Sequence, residues 1–201
     1  MAMAVKSARK PACEQEFEYR EEWSIIHGLK DQFELSNDEY HILYSFYVEH
    51  SMYDDQSCRK RTWIDYGWSS NKTIANGAKD ELCKVLQLYS NEDFIFTKED
   101  DLDTQFVMCE LENGTIHNID KERGVFAIAS ESILESYFII LFSRVRNCLA
   151  HGEFVLQINT QNEKMVVMQN HYNGNVKSRC VLKLNTLLTL ARTVDKSGLL
   201  S

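Results

Sequence analysis

SESILESYFIILFSRVRNCLAHG, residues 130–152, is the longest apolar segment of the chain, and the rest is read outward from it. Ser130 and Ser132 precede the apolar run, and Glu135 stands three residues after Ser132. At that spacing a serine and a glutamate satisfy each other's backbone amides at a helix start. Gly152 is placed to end the helix, because glycine takes the left-handed terminal conformation without steric cost. Leu134, Phe138, Leu141, Val145 and Cys148 recur at steps of four and three and form one helical face. Ile139, Ile140 and Phe142 fall on other faces, so the middle of the helix is apolar nearly all round. Such a helix is buried in a bundle or covers a partner. It is too short and too interrupted to cross a bilayer, which takes roughly 20 apolar residues.

The last turns change character, with Arg144, Arg146, Asn147 and His151 on the end of an apolar rod. At about 100° per residue, Arg144, Asn147 and His151 lie within roughly 60° of one another, while Arg146 lies about 140° from His151 on an unbroken helix. A histidine that gains and loses a proton near neutral pH, beside guanidinium groups, suits general acid–base chemistry on an anion such as a phosphodiester. The plainer reading is that these side chains serve the helix end, whose partial negative charge and unpaired carbonyls favour cations.

The string RNCLAHG, residues 146–152, resembles the signature of the HEPN superfamily: an arginine, usually followed by a polar residue, with four to six residues in all before a histidine at the end of a bundle helix. The extension after it, residues 153–194, is similar to that of a plasmid- and island-borne HEPN branch associated with abortive infection. The resemblance implies a HEPN-like helical bundle, mainly α, with a small C-terminal antiparallel β-meander and a final helix. It implies a homodimer whose active site is assembled from both copies of the motif. It also implies a metal-independent endoribonuclease without cofactor, a toxin-like defence effector that an antitoxin or sensor protein would hold in check. By the same resemblance Arg146 and His151 are the catalytic pair and Asn147 the polar residue that supports them. Arg144 is a further supporting candidate, because it shares the face of His151 on the helical wheel. Two arrangements reconcile the wheel with the motif. Either the helix ends before His151, or Arg146 meets the partner subunit's His151, which is the preferred arrangement.

The 201 residues suit one domain, with a flexible N-terminus at 1–12 and a single domain over 13–201, made up of the motif helix at 130–151 and the meander with its last helix at 153–195. Apolar residues make up 44%, enough for a core, and a single proline with eight glycines argues against linkers. The net charge of −8 excludes a global basic footprint and leaves room only for a locally positive groove. Cysteines 13, 58, 83, 109, 148 and 180 lack the paired short spacing of a zinc site, and Cys148 reads as a packing residue. The N-terminus shows no secretory signal pattern, so the expectation is a cytoplasmic protein with reduced thiols and no membrane partner.

Along the chain, residues 14–35 read as a helix, and Ser36-Asn37-Asp38-Glu39 as the start of a second running to about residue 53. The tyrosines of that second helix read mainly as packing, with base stacking as the rival. Arg59-Lys60-Arg61-Thr62-Trp63 is the one dense basic cluster. Arg59, Lys60, Arg61 and Lys72 are candidate RNA contacts, against the reading of a solvated loop beside a core tryptophan. Residues 71–89 read as a third helix. Residues 93–119 stay open between strand and helix, with Phe94 to Phe96 and 106–111 favouring strands and Asn113-Gly114 a hairpin turn. The acidic run Glu99-Asp100-Asp101-Leu102-Asp103 reads as a solvated loop rather than a metal site, and 120–124 as a turn before the central helix. Strands are expected at 154–158, 165–169 and 176–184, with a type I′ turn at Asn173-Gly174. Asn185 is expected to cap the final helix, and Lys177 and Arg179 are candidate contacts on the rim of an RNA groove. The rival to the enzyme is a non-catalytic HEPN-like interaction or regulatory module, which the acidic charge favours. A helical dimer whose polar residues only cap the helix is the third reading.

Overall fold

The structure, a computed structural model, describes residues 31–52, 61–72, 74–89, 93–97, 99–108, 125–129, 137–172 and 175–200. The N-terminal segment 1–12, most of the first expected helix, Arg59, Lys60, the hairpin turn at 113–114 and the capping serines of the motif helix lie outside these residues. In chain order, α1 (Asn37–Leu43) runs into a π-helical stretch (Tyr44–Glu49). There follow α2 (Ala78–Tyr89), β1 (Asp93–Thr97), a 3₁₀ turn (Glu99–Asp101), α3 (Leu102–Met108) and β2 (Val125–Ala129). The chain then forms α4 (Tyr137–His151), β3 (Phe154–Ile158), β4 (Lys164–Tyr172), β5 (Asn175–Lys183) and α5 (Leu184–Val194).

The expected meander is present, but it belongs to a larger sheet of five strands in the order β1-β2-β5-β4-β3. β3, β4 and β5 pair antiparallel, and Tyr172 opposite Asn175 leaves only residues 173 and 174 between β4 and β5. β2 adds antiparallel to β5, and β1 adds parallel to β2. Two parallel neighbours need a crossover between them, and α3 lies on that crossover. This places 102–108 in a helix where residue type had favoured a strand at 106–111. The acidic run is the 3₁₀ turn and the start of α3.

One sheet face and α4 make the core. Leu141, Val145, Cys148 and Leu149 of α4 pack with Phe154, Leu156, Val166, Met168, Cys180 and Leu182 of the sheet. α5 presents Leu187, Leu188, Leu190 and Ala191 to the same core, as expected from its apolar face. α2 packs on α5, and the π-helical stretch on α4. Phe46, Tyr47 and Phe142 meet edge to face at 4.7–5.8 Å between ring centres, the geometry that aromatic quadrupoles favour. The Tyr47 hydroxyl donates to the Leu187 carbonyl at 2.9 Å, and Trp68 Nε1 to the Val194 carbonyl at 2.8 Å. Trp63 is buried and stands edge to face with Trp68, as the core-tryptophan reading of the basic cluster required.

Four boundaries differ from the sequence reading, each for a local reason. Residues 31–35 are not the end of a helix. They lie along β3, with the Gln32 amide donating to the Leu156 carbonyl and the Leu156 amide to Asp31 Oδ1, both at 2.8 Å. An open strand edge satisfied by a neighbouring segment outweighs helix propensity there. α2 begins at Ala78 rather than residue 71, because Gly77 sits at φ +79 and Asn71 Oδ1 accepts the Ile64 amide across the loop. α5 begins at Leu184 straight out of β5, so Asn185 lies inside its first turn and is not its cap. Residues 125–129, directly after the expected turn, are β2 rather than a lead-in to the motif helix.

The start of α1 was legible. Ser36 Oγ accepts the Glu39 amide at 3.2 Å, and Glu39 Oε2 accepts the Ser36 amide at 2.8 Å. Glu39 also pairs with Lys164 at 2.8 Å, and Glu163 with Lys183 at 2.9 Å, on the walls of an open cavity of about 340 Å³ between α1, β4 and α5. The hydrogen bond from Lys183 holds the Glu163 carboxyl below its ordinary range. For Glu39 burial is the largest single influence and pushes upward, but Lys164 and the Ser36 amide together bring it below that range. Among the described residues no helix is long and apolar enough to cross a membrane.

Leu187→Ala is expected to lower the unfolding free energy by about 2–5 kcal/mol in urea titration. A loss below about 1 kcal/mol would mean that α5 does not seat Leu187 in the core. The depressed carboxyls contribute stability above their unfolded value of about 4.3 that is lost as pH falls through the folded values. The urea midpoint should therefore hold through mild acid and fall below about pH 4.5, with a shallower fall in Glu163→Gln. An unchanged acid limb in that variant would show that the pair adds nothing.

Candidate functional site

α4 ends in a C-terminal cap that the sequence announced. Gly152 stands at φ +69, and the Glu153 amide reaches back to the Cys148 carbonyl at 2.8 Å, the six-to-one bond of a Schellman end. The helix is unbroken to His151, which is its last residue and is exposed. Of the two arrangements left open by the wheel, an early helix end is therefore excluded. Arg146 and His151 of one chain remain about 140° apart around the axis. Arg146 is half-buried, and its Nη1 donates to Asn147 Oδ1 at 3.0 Å, which fixes the guanidinium on its own turn.

Arg144 takes a different role from its neighbours. Its Nη1 donates to Asn170 Oδ1 on β4 at 3.3 Å, which ties α4 to the sheet. Asn170 Nδ2 in turn donates to Glu153 Oε2 at 3.3 Å, and the same oxygen accepts the His171 amide at 2.8 Å. The Glu153 carbonyl accepts the Gln169 amide at 3.1 Å. The residue that follows the helix-ending glycine is thus held through its amide, its carbonyl and its carboxylate. A second arm reaches Glu153 from the other side. Arg179 Nε donates to Gln169 Oε1 at 2.7 Å, the Gln169 amide nitrogen lies 3.0 Å from His171 Nε2, and His171 Nδ1 lies 3.8 Å from Glu153 Oε1. With its oxygen engaged by Arg179, Gln169 can only donate to His171, which places the imidazole proton on Nδ1, toward the carboxylate.

Sequence reasoning missed Glu153, Gln169, Asn170 and His171. The available signal was slight: a carboxylate directly after a helix-ending glycine, and three polar residues in a row directly after the apolar run Met165-Val166-Val167-Met168. Cys148, inside the motif, is buried, and burial drives its thiol well above the ordinary range, so it packs as expected and is a poor nucleophile.

The remaining candidates do not gather at this end. Lys177 and Arg179 are buried on β5 rather than exposed on a groove rim. β5 became an interior strand once β2 paired along it. Arg61 is half-buried with its guanidinium 5.8 Å over the Tyr66 ring, and Lys72 is exposed. Burial pushes the Tyr66 hydroxyl up to about 12, with the Arg61 charge opposing that rise. Among the described residues no three histidine, cysteine, aspartate or glutamate side chains gather as a metal site.

Fold and site together define a helix-and-sheet protein with an exposed histidine on the capped end of a buried helix, flanked by anchored arginines. No protein-family model, no curated protein and no solved structure matches the chain.

Glu153→Ala is expected to destabilise the protein by about 1.5–3 kcal/mol in urea titration, the range for hydrogen bonds to a charged group. Stability within about 0.5 kcal/mol of the wild type would mean that the carboxylate does not hold the helix end to β4.

Proposed function

We propose that the chain is a HEPN-type, metal-independent endoribonuclease acting as a homodimer, a toxin-like effector in defence. The observation that carries the reading is the motif's geometry. His151 stands exposed at the rigid end of α4, and Arg146 is fixed by Asn147 five residues before it. An exposed imidazole on a firmly capped helix is positioned to exchange protons with solvent and substrate. A guanidinium held on its own turn by Asn147 needs little further ordering to meet a charged group.

In the proposed reaction the RNA 2′-hydroxyl loses its proton to a base and attacks the adjacent phosphorus. The bond to the 5′-oxygen breaks, and that oxygen takes up a proton. The products are a 2′,3′-cyclic phosphate and a 5′-hydroxyl. His151 serves one of the two proton transfers. Arg146 stabilises the charge on the phosphorane, a task for which preorganised donors are effective. Because α4 is continuous, Arg146 and His151 of one chain face different directions, and pairing Arg146 with the partner subunit's His151 accounts for both being needed. Arg144, held by Asn170, serves as an anchor of the helix rather than a reactive group. The net charge of −8 favours the second reading, a HEPN-like interaction module without catalysis.

The test is cleavage of total RNA by the purified protein in EDTA, with product ends typed. His151→Ala should lose about 100-fold or more in rate, the scale of a general acid–base group, and Arg146→Ala should lose a comparable factor. Arg144→Ala should act mainly through stability. Loss of activity in Arg144→Ala with Arg146→Ala intact would overturn the assignment of roles. A folded dimer that cleaves no RNA pool would favour the interaction module.

A further inference from the structure

On α1, Tyr40 stacks on Tyr44, with ring centres 4.3 Å apart and planes within 20°. The two are four residues apart, so they share a helix face. Tyr44 is half-buried, and its hydroxyl donates to the Leu149 carbonyl at 3.4 Å. That carbonyl is one of the last four of α4, which the helix cannot satisfy itself, and it belongs to the residue two before His151. The tyrosine pair therefore begins at the motif's final turn and leads outward. Tyr44 covers one side of the Tyr40 ring, yet Tyr40 as a whole is 53% exposed. Glu39, beside it in sequence, is neutralised by Lys164.

We infer that Tyr40 is a base-stacking platform for unpaired RNA on the side of the molecule where α4 ends; this rests on the nuclease reading for the bond that His151 addresses. Three observations select a nucleobase as the occupant. The open face belongs to a ring already held flat by a stacked neighbour, so a base adding to it orders little that is not ordered already. The stack is continuous, through the Tyr44 hydroxyl, with the end of α4 on which the motif stands. The third is charge. With a net charge of −8, general attraction for a phosphate backbone is weak. Affinity has to come from a contact indifferent to net charge, and stacking on an aromatic face is one. A base can reach such a face only when it is not stacked between its own neighbours in a duplex, so the platform selects single-stranded segments.

The test uses the full chain and a fluorescein-labelled, fully 2′-O-methylated octamer of mixed sequence, which cannot be cleaved by 2′-hydroxyl attack, with binding read by anisotropy. Tyr40→Ala should weaken binding about 5- to 150-fold, the scale of one base–aromatic contact. Tyr40→Phe, which keeps the ring, should bind as the wild type does, and the Tyr40-dependent factor should not change with salt. The same sequence as a duplex should bind less tightly. Equal binding by Tyr40→Ala, no binding by the wild type, or an equally dependent duplex each overturns the inference. So does light scattering that shows Tyr40→Ala turning a dimer into a monomer with affinity lost only in step, since a second copy would then be the occupant. Cleavage of unmodified RNA separates this from the nuclease reading. Tyr40-dependent binding without cleavage sinks the enzyme alone, and cleavage with Tyr40-independent binding sinks the platform alone.

Discussion

A helix end leaves its last carbonyls without partners in the helix, and the end of α4 is arranged around that constraint. The Glu153 amide takes the Cys148 carbonyl and the Tyr44 hydroxyl takes that of Leu149. Glycine at 152 is what allows the chain to turn back sharply enough for the first of these. Everything downstream inherits its position from this corner. β3 starts two residues later, with its register against β4 set from Phe154 opposite Met168. Glu153 adds side-chain contacts to Asn170 and to the His171 amide, so helix, corner and strand are tied together.

The two arginines of the motif region reach different partners from one helix. Arg144 and Arg146 are two residues apart and so point roughly 160° away from each other. Arg144 reaches the sheet through Asn170. Arg146 is steadied by Asn147, next to it in the chain. A guanidinium committed to a buried amide is costly to withdraw, because the amide would be left unsatisfied. In the proposed reaction the charge-stabilising role goes to Arg146 on the motif's resemblance, although the helical wheel alone puts Arg144 nearer to His151.

Legibility in the sequence followed the range of the interactions. The cap at Ser36, the helix end at Gly152, the three strands after it and the apolar face of α5 depend on residues close in sequence, and they were read with small errors of extent. β2 was not, because Val125-Phe126-Ala127-Ile128-Ala129 is a short apolar run without alternation, and only its pairing with β5 and β1 makes it a strand. That one omission displaced two others. It left the meander looking like a small appendage, and it left Lys177 and Arg179 looking exposed. The ends of the sheet were hidden for the same reason: residues 31–35 are held by the edge of β3, more than 100 positions away, through the Gln32 and Leu156 backbones. Of the site, the motif was visible as a string. Glu153 and Asn170 were not, since their role exists only once β4 has folded back under α4.

The remaining tension lies between an acidic chain and a polyanionic substrate, and the structure limits how it can be resolved. Basic side chains that could have formed a groove on β5 are buried, and Arg179 is engaged by Gln169. Lys164 and Lys183 are engaged by Glu39 and Glu163. Long-range attraction is therefore weak, and association with RNA would be slow and selective rather than steered. For a nuclease that would be harmful if it cut freely, this is a coherent arrangement. Under the proposed function, recognition would fall to short-range contacts: an anchored guanidinium for the phosphate, and an aromatic face for a base that is already unpaired. An interaction module would need neither contact, and an exposed histidine closing a capped helix, with the Tyr44 hydroxyl on the carbonyl two residues before it, is the physical argument for the proposed reading of this helix end.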